Sequence, residues 1–260
     1  VNPLDGGVSL NDGSSVQLCI NGRKVGKEEI QALIPSDILR IEYLEDPGLR
    51  YGNAGAVVNY IVRRYELGGS VSISAQQSPY VMWGNYNVSG KMNYKKSEFG
   101  VWYGAYPHKF ENAWRTNEET FVKEDGTSLH RMEEGIPDAT SEYGQWGGIS
   151  YNLQEADNYM LNASVGFWNE NEPRVGFHSQ LYTREYPDLA TERLDFAHNR
   201  NSRPWFDIYF QKELKNKQFL ALNVVGTYIG SHNRQSYQEI LDDEFVADYF
   251  SGVQGDKYSI

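Results

Sequence analysis

Adjacent carboxylates recur in this chain, at Glu118-Glu119, Glu133-Glu134 and Asp242-Asp243-Glu244. Paired acids can hold a cation or flank a glycosidic bond as acid and base. Here their spacing selects neither chemistry, because a large acidic β protein offers such pairs on solvated faces. The five histidines, His108, His130, His178, His198 and His232, are scattered without metal-ligand spacing and read as loop or surface residues. No G-x-S-x-G elbow, H-E-x-x-H pair or phosphate-binding glycine loop occurs. The lone Cys19 lies among Val16, Leu18 and Ile20, which predicts a small buried hydrophobe and excludes an internal disulfide. The residues therefore imply no enzyme, no metal and no cofactor.

Recognition chemistry is better represented. The polar segments 107–141 and 170–203 hold Trp114, Tyr182 and Tyr186 beside Arg115, Arg131, Arg184, Arg193 and Arg200. Rings and guanidiniums together suit a sugar, a peptide or a siderophore. The net charge of -11 argues against nucleic acid as the partner.

Such residues need a scaffold, and the scaffold reads as β. Aromatic content is 14%, with 19 Tyr and 6 Trp, residue types that strands favour. No apolar run is long enough for a transmembrane helix, which says nothing against a transmembrane barrel.

The first 65 residues predict a small α+β module. The run 16–20 leads into Asn21-Gly22, a strong two-residue hairpin signal, and Arg23-Lys24-Val25 returns. Ile30, Leu33 and Ile34 share one face of a short helix over 27–34, which Pro35 ends. Strands follow at 38–44 and 57–62, the second β-branched and buried on both faces. Between them Pro47-Gly48 makes a turn, while Gly52 and Gly55 serve tight backbone bends. The Gly/Asp/Ser-rich lead-in over 5–15 suggests a start in mid-protein.

From Gly68 the pattern becomes strict alternation. Val71, Ile73 and Ala75 alternate with serines, and Tyr86, Val88, Gly90, Met92 and Tyr94 with Asn85, Asn87, Ser89, Lys91 and Asn93. Five more strands follow around 99–105, 143–153, 159–167, 206–211 and 220–228. Each is about 9–12 residues long, enough for a tilted bilayer crossing. Short turns at 95–97, 154–157 and 214–217 alternate with long loops at 107–141 and 170–203. The connection 78–84 belongs to the long-loop side. Aromatics near strand ends (Tyr80, Trp83, Tyr94, Tyr106, Trp168, Trp205 and Tyr228) suit interfacial girdles. A soluble antiparallel sheet also alternates; the loop asymmetry favours a membrane barrel wall.

Residues 14–64 resemble the closing part of the plug domain of TonB-dependent outer-membrane receptors, of the Bacteroidetes type. The resemblance rests on Ile34-Pro35-Ser36-Asp37-Ile38-Leu39-Arg40-Ile41-Glu42-Tyr43, then Pro47, Arg50-Tyr51-Gly52 and 55–62, with Asn21-Gly22-Arg23-Lys24-Val25 upstream. It implies a mainly β fold: residues 1–65 end a small α+β plug, and 66–260 begin an incomplete transmembrane β-barrel. Such barrels close at about 22 strands, of which seven are recognisable here. No TonB box is seen, and Ile260 is not the aromatic residue expected at a barrel's last strand.

The implied function is outer-membrane uptake of an extracellular ligand bound at plug and loops. A TonB-type energising protein would drive it through a region not in this chain, and the lipid bilayer is a further partner. The resemblance makes Glu42, Pro47, Arg50, Tyr51, Gly52 and Gly55 structural or plug–barrel contact residues. Glu42 and Arg50 read equally well as solvated charges beside a turn. Two other readings remain open: a soluble β-rich carbohydrate-binding module and a glycoside hydrolase.

Overall fold

The computed structural model describes residues 15–26, 29–30, 33–45, 51, 54–63, 65–155, 158–215 and 218–260. The described elements are strands and one 3-10 turn, so the protein is mainly β and its strands are chiefly antiparallel. Within the expected helix over 27–34, Glu29 and Ile30 are helical, while residues 27, 28, 31 and 32 lie outside the described residues. An α+β character for the first 65 residues is not shown.

Four short strands form the first sheet, ordered β2 (Arg23–Lys24), β1 (Val16–Ile20), β4 (Ala56–Val62), β3 (Ile38–Leu44). Asn21 and Gly22 both take positive φ, 48° and 79°, which is what a tight two-residue hairpin requires. The Asn21 side chain also donates to Val62 O and accepts from Val62 N, fixing the turn to the neighbouring strand. β4 runs parallel to β1 and antiparallel to β3. As a central strand it buries Ala56, Val57 and Asn59, whereas Tyr60, Ile61 and Val62 are only half-buried. Cys19 is buried as expected.

The second sheet has eleven strands. Its continuous wall is β5 (Leu67–Gln77), β6 (Met82–Tyr94), β7 (Ser97–Ala113), β10 (Asp138–Glu155), β11 (Tyr159–Thr183), β13 (Trp205–Glu213), β14 (Phe219–Leu241) and β15 (Glu244–Ser259). All seven alternating segments found in the sequence fall on β5, β6, β7, β10, β11, β13 and β14. Among the described residues the wall does not close on itself: β5 and β15 each have one pairing partner.

Two sequence expectations are corrected. Segments 107–141 and 170–203 are not long loops. They consist of extensions of β7, β10 and β11, with β8 (Thr116–Val122), β9 (Ser128–Ile136) and β12 (Tyr186–Ser202). Strands of 9–12 residues are also too short an expectation, since β10 has 18 residues, β14 has 23 and β11 has 25. β12 and β13 form one returning line beside β11, interrupted at Arg203-Pro204. Proline has no N–H for the ladder, so the break falls there. Short connections at 95–96, 156–158 and 214–218 all lie at one end, and the extensions all project from the other.

Residues opposite one another in the ladders share a face, so the register sorts the wall into two surfaces. One carries Val71, Ile73, Val88, Met92, Phe99, Val101, Ile149, Leu161, Val165, Phe206, Ile208 and Leu222. The other carries Ser72, Asn87, Ser89, Lys91, Glu98, Asn152, Asn162, Ser164 and Asp207. Tryptophans of this polar face lie across glycines of neighbouring strands. A Cβ on Gly104 would stand 2.3 Å from the Trp146 ring, on Gly148 2.5 Å from Trp102, and on Gly166 2.7 Å from Trp205. Glycine is needed there for the rings to lie flat on the backbone.

Candidate functional site

The polar face is where charges, rings and the small sheet converge. The hairpin Arg23-Lys24 presents two cations to it. Lys24 Nζ lies 3.2 Å from Asp207 on β13, and Arg23 lies 3.4 Å from Glu98 on β7. Glu98 also holds Lys91 at 2.8 Å, and Arg23 is forked onto Glu29. Arg23 keeps only 13% of its side-chain exposure. Burial works against its charge, but the Glu29 and Glu98 carboxylates outweigh it and hold the guanidinium pKa above its usual value.

The residues singled out from the sequence motif are placed differently. Glu42 accepts from Arg40 and from Asn59 Nδ2 at 3.0 Å, and Asn59 Oδ1 in turn receives Gly22 N–H at 2.8 Å. Both partners of Glu42 belong to the small sheet, so it braces β3 against β4 and the Asn21-Gly22 turn. Tyr51 reaches Gly22 O at 3.4 Å, and Gly55 N–H donates to Ser15 O at 3.0 Å. Pro47, Arg50 and Gly52 lie outside the described residues. The ion pairs to the wall come from Arg23 and Lys24, which sequence reading assigned only to a hairpin strand. Two adjacent cations at a hairpin end, facing strands with isolated acids, were the available signal.

Further along, the polar face carries a row of rings. Trp83 and His108 stack at 4.8 Å, His108 meets Tyr106 at 5.1 Å, and Tyr106 meets Trp146 at 6.1 Å. Acids anchor the row: His108 Nδ1 pairs with Glu142 at 2.6 Å, and Tyr106 donates to Glu170 at 3.1 Å. His108 is therefore a buried ring in a stack and not the surface residue expected.

Beyond this row, β12 continues the same face through Asn201, Asn199, Asp195 and Arg193. Asn201 donates to Glu170 and Asn199 to Glu172. Here β8, β9, β11 and β12 enclose a cavity of about 120 Å3, lined by Arg115, Asn117, Glu119, Arg131, Glu133, Leu181 and Arg193. Glu133 is 5% exposed and accepts from Arg115 Nε, Arg193 Nη1 and Ser179 Oγ, each at 3.1 Å. Arg115 rests on the Phe177 ring and Arg131 pairs with Glu119. Of the guanidiniums named from sequence, Arg115, Arg131 and Arg193 come together. Arg184 instead pairs with Glu118, and Arg200 with Asn171. Tyr182 donates to Glu134, while Trp114 and Tyr186 are exposed. Among the described residues no group of three His, Cys, Asp or Glu is arranged to hold a metal.

At the base of the extensions Asp138 pairs with Arg174 at 2.6 Å. Burial opposes ionisation of Asp138, but the Ala139 N–H and the Arg174 guanidinium prevail and lower its pKa. A depressed carboxylate contributes stability above its unfolded pKa, about 3.9, and loses it as pH falls through the lower folded value. Acidification from pH 5 through that range should release Arg174. Amide exchange at 139–141 and 172–175 should then rise, and an Asp138→Asn protein should show no such pH step.

No family model, curated protein or solved structure matches this chain.

Proposed function

We propose that this chain is part of an outer-membrane receptor of the TonB-dependent kind. The small sheet belongs to its plug and the eleven-stranded sheet to its barrel wall. The single observation that carries this reading is the continuous apolar face left uncovered across the wall. Val71 is 75% exposed, Ile73 77%, Ile149 58% and Leu220 56%, and their ladder neighbours are comparably open. Soluble proteins do not leave so large an apolar surface to water. A hydrocarbon layer would cover it, and strands satisfy their backbone groups sideways and so can cross one.

The other features accord with this. The apolar face spans the end of the wall with short turns, and the polar extensions project beyond it. That is the asymmetry of an outer-membrane barrel, whose longer segments face outward. The polar face would then line the lumen, with the small sheet inside it on the Arg23 and Lys24 ion pairs. A ligand would arrive from the side of the extensions and meet the inner cavity and ring row. Uptake would require the small sheet to shift, driven by a TonB-type partner engaging a region outside this chain. No catalytic step is assigned.

The test is fractionation of the full-length protein in a Gram-negative cell. It should sediment with outer membranes and resist carbonate extraction. Recovery as a soluble periplasmic protein would overturn the reading.

A further inference from the structure

On β12 and β14 the apolar face of the wall gives way to a cluster of basic groups. Alternate residues of a strand share a face, so Leu222, Val224 and Tyr228 of β14 lead on to Gly230, His232 and Arg234. The register sets His232 opposite Arg200 and Arg234 opposite His198. Four basic side chains thus occupy neighbouring positions on one surface. Gly230 has no side chain, and an open groove of about 490 Å3 lies there, lined by Asn171, Arg200, Tyr228, His232 and Asp256 among others. Asp256 stands at the apolar end, where it accepts from Tyr228 Oη at 2.7 Å. Other arginines of the extensions have acids: Arg131 has Glu119, Arg174 has Asp138 and Arg184 has Glu118. Arg200 and Arg234 are exposed, and no acid pairs with either among the described residues. Arg200 Nε donates to the neutral Asn171 Oδ1 at 3.3 Å. In a chain of net charge -11, two neighbouring guanidiniums without acids suit an anion supplied from outside.

We propose that this basic groove binds the phosphate of an anionic membrane lipid whose acyl chains lie on the apolar face beside it; the bilayer itself rests on the receptor reading. Tyr228 and Tyr258, with ring centroids 5.2 Å apart, mark the rim of the apolar band. His232 stands four residues beyond Tyr228, about 13 Å along the strand. A strand tilt of about 45° makes that about 9 Å of depth. The headgroup layer extends about 5–8 Å beyond the hydrocarbon, and long arginine side chains fold back into it. Arg200 and Arg234 would hold the phosphate oxygens by charge-assisted hydrogen bonds. The His232 ring and the Asn171 amide add N–H donors. Basic groups beside an apolar membrane face are the chemistry that selects anionic headgroups.

The experiment titrates the full-length protein in detergent with phosphatidate and counts bound lipid by native mass spectrometry. Phosphatidylcholine with the same acyl chains and free glycerol 3-phosphate are the comparisons. Phosphatidate should be retained saturably, and about tenfold more tightly than either comparison. Arg200→Gln combined with Arg234→Gln should weaken that binding by about tenfold or more. Lysine at both positions should keep most of it, because an ammonium also binds phosphate. Arg184→Gln, which removes a charge elsewhere on the extensions, should leave it unchanged. Equal retention of phosphatidylcholine would overturn the proposal, and so would undiminished binding in the double glutamine variant. Glycerol 3-phosphate binding as tightly as phosphatidate would assign the groove to a soluble phosphate and overturn the lipid. Binding in detergent does not depend on where the protein resides. A protein that sediments with outer membranes but shows no preference for phosphatidate would refute this inference and leave the receptor reading standing.

Discussion

Ile149→Arg is expected to lower the stability of the lipid-inserted protein by about 2–4 kcal/mol, the cost of an arginine on the lipid face near mid-bilayer. Ile149 stands between Val101 and Val165 in the middle of the apolar face. A guanidinium there has no inward route, because alternate residues of a strand point to opposite faces. The same change at Ser72, on the polar face of β5, should cost little. Urea titration of both variants folded into lipid vesicles measures the difference. The contrast is strong because the soluble reading predicts the reverse. On a water-exposed sheet, arginine at a 58% exposed position should shift stability by no more than about 0.5 kcal/mol and should improve solubility.

Removing the anion that seats the small sheet should have the second large effect. Among the described residues, Glu98→Ala leaves Arg23 with Glu29 and takes from Lys91 its carboxylate pair. Breaking a fully buried pair costs about 3–5 kcal/mol, and these side chains retain some exposure, so about 2 kcal/mol is expected. That corresponds to a roughly thirtyfold rise in the unseated population. Hydrogen exchange of Val16–Ile20 and Ala56–Val62 in the full-length protein should accelerate accordingly. Asp207→Asn should act in the same direction but less, since Lys24 is 33% exposed. Arg40→Ala should leave exchange at the wall contact unchanged, because among the described residues Arg40 pairs with Glu42 within the small sheet. Equal exchange in the Glu98→Ala and unaltered proteins would show that the ion pairs do not hold the seat.

The sequence disclosed those parts of the fold in which one face is apolar. Val71 to Ala75, Tyr86 to Tyr94 and Leu161 to Phe167 alternate cleanly because one surface is uncovered and apolar and the other is polar. Their strands were therefore visible. The Asn21-Gly22 hairpin was equally legible, because its backbone needs two positive φ angles that few residues accept. The extensions were not. Along 191–201 both faces carry polar or charged side chains, so period two leaves no hydrophobic trace, and along 175–183 Ser179 and Thr183 interrupt the short apolar set of Val175, Phe177 and Leu181. Their order comes from cross-strand pairs such as Tyr182 with Glu134 and Asn199 with Glu172. These two pairs join residues 48 and 27 positions apart, which single-chain patterning does not encode.

The candidate site was hidden for the same reason. Glu133 looked like half of a solvated acid pair with Glu134, because nothing local distinguishes them. Strand register separates them, turning Glu133 towards Arg115 and Arg193 and Glu134 towards Tyr182 on the opposite face. The arginines stood out in the sequence, but which three meet depends on β8, β9, β11 and β12 folding together. Likewise Arg23 and Lys24 gain meaning only from Glu98 and Asp207, contributed by strands far along the chain.

The central claim is that the apolar face of the wall meets hydrocarbon and the polar face meets water. Single cysteines introduced at successive positions over 161–168 of β11, nitroxide-labelled in the full-length protein reconstituted into vesicles, test it most directly; the native Cys19 is fully buried. Positions 161, 163, 165 and 167 should collide with oxygen, which partitions into lipid, and positions 162, 164, 166 and 168 with a water-soluble nickel chelate. A period of two in opposite phase for the two quenchers is the predicted result. Equal access of the nickel chelate to both sets would contradict the account.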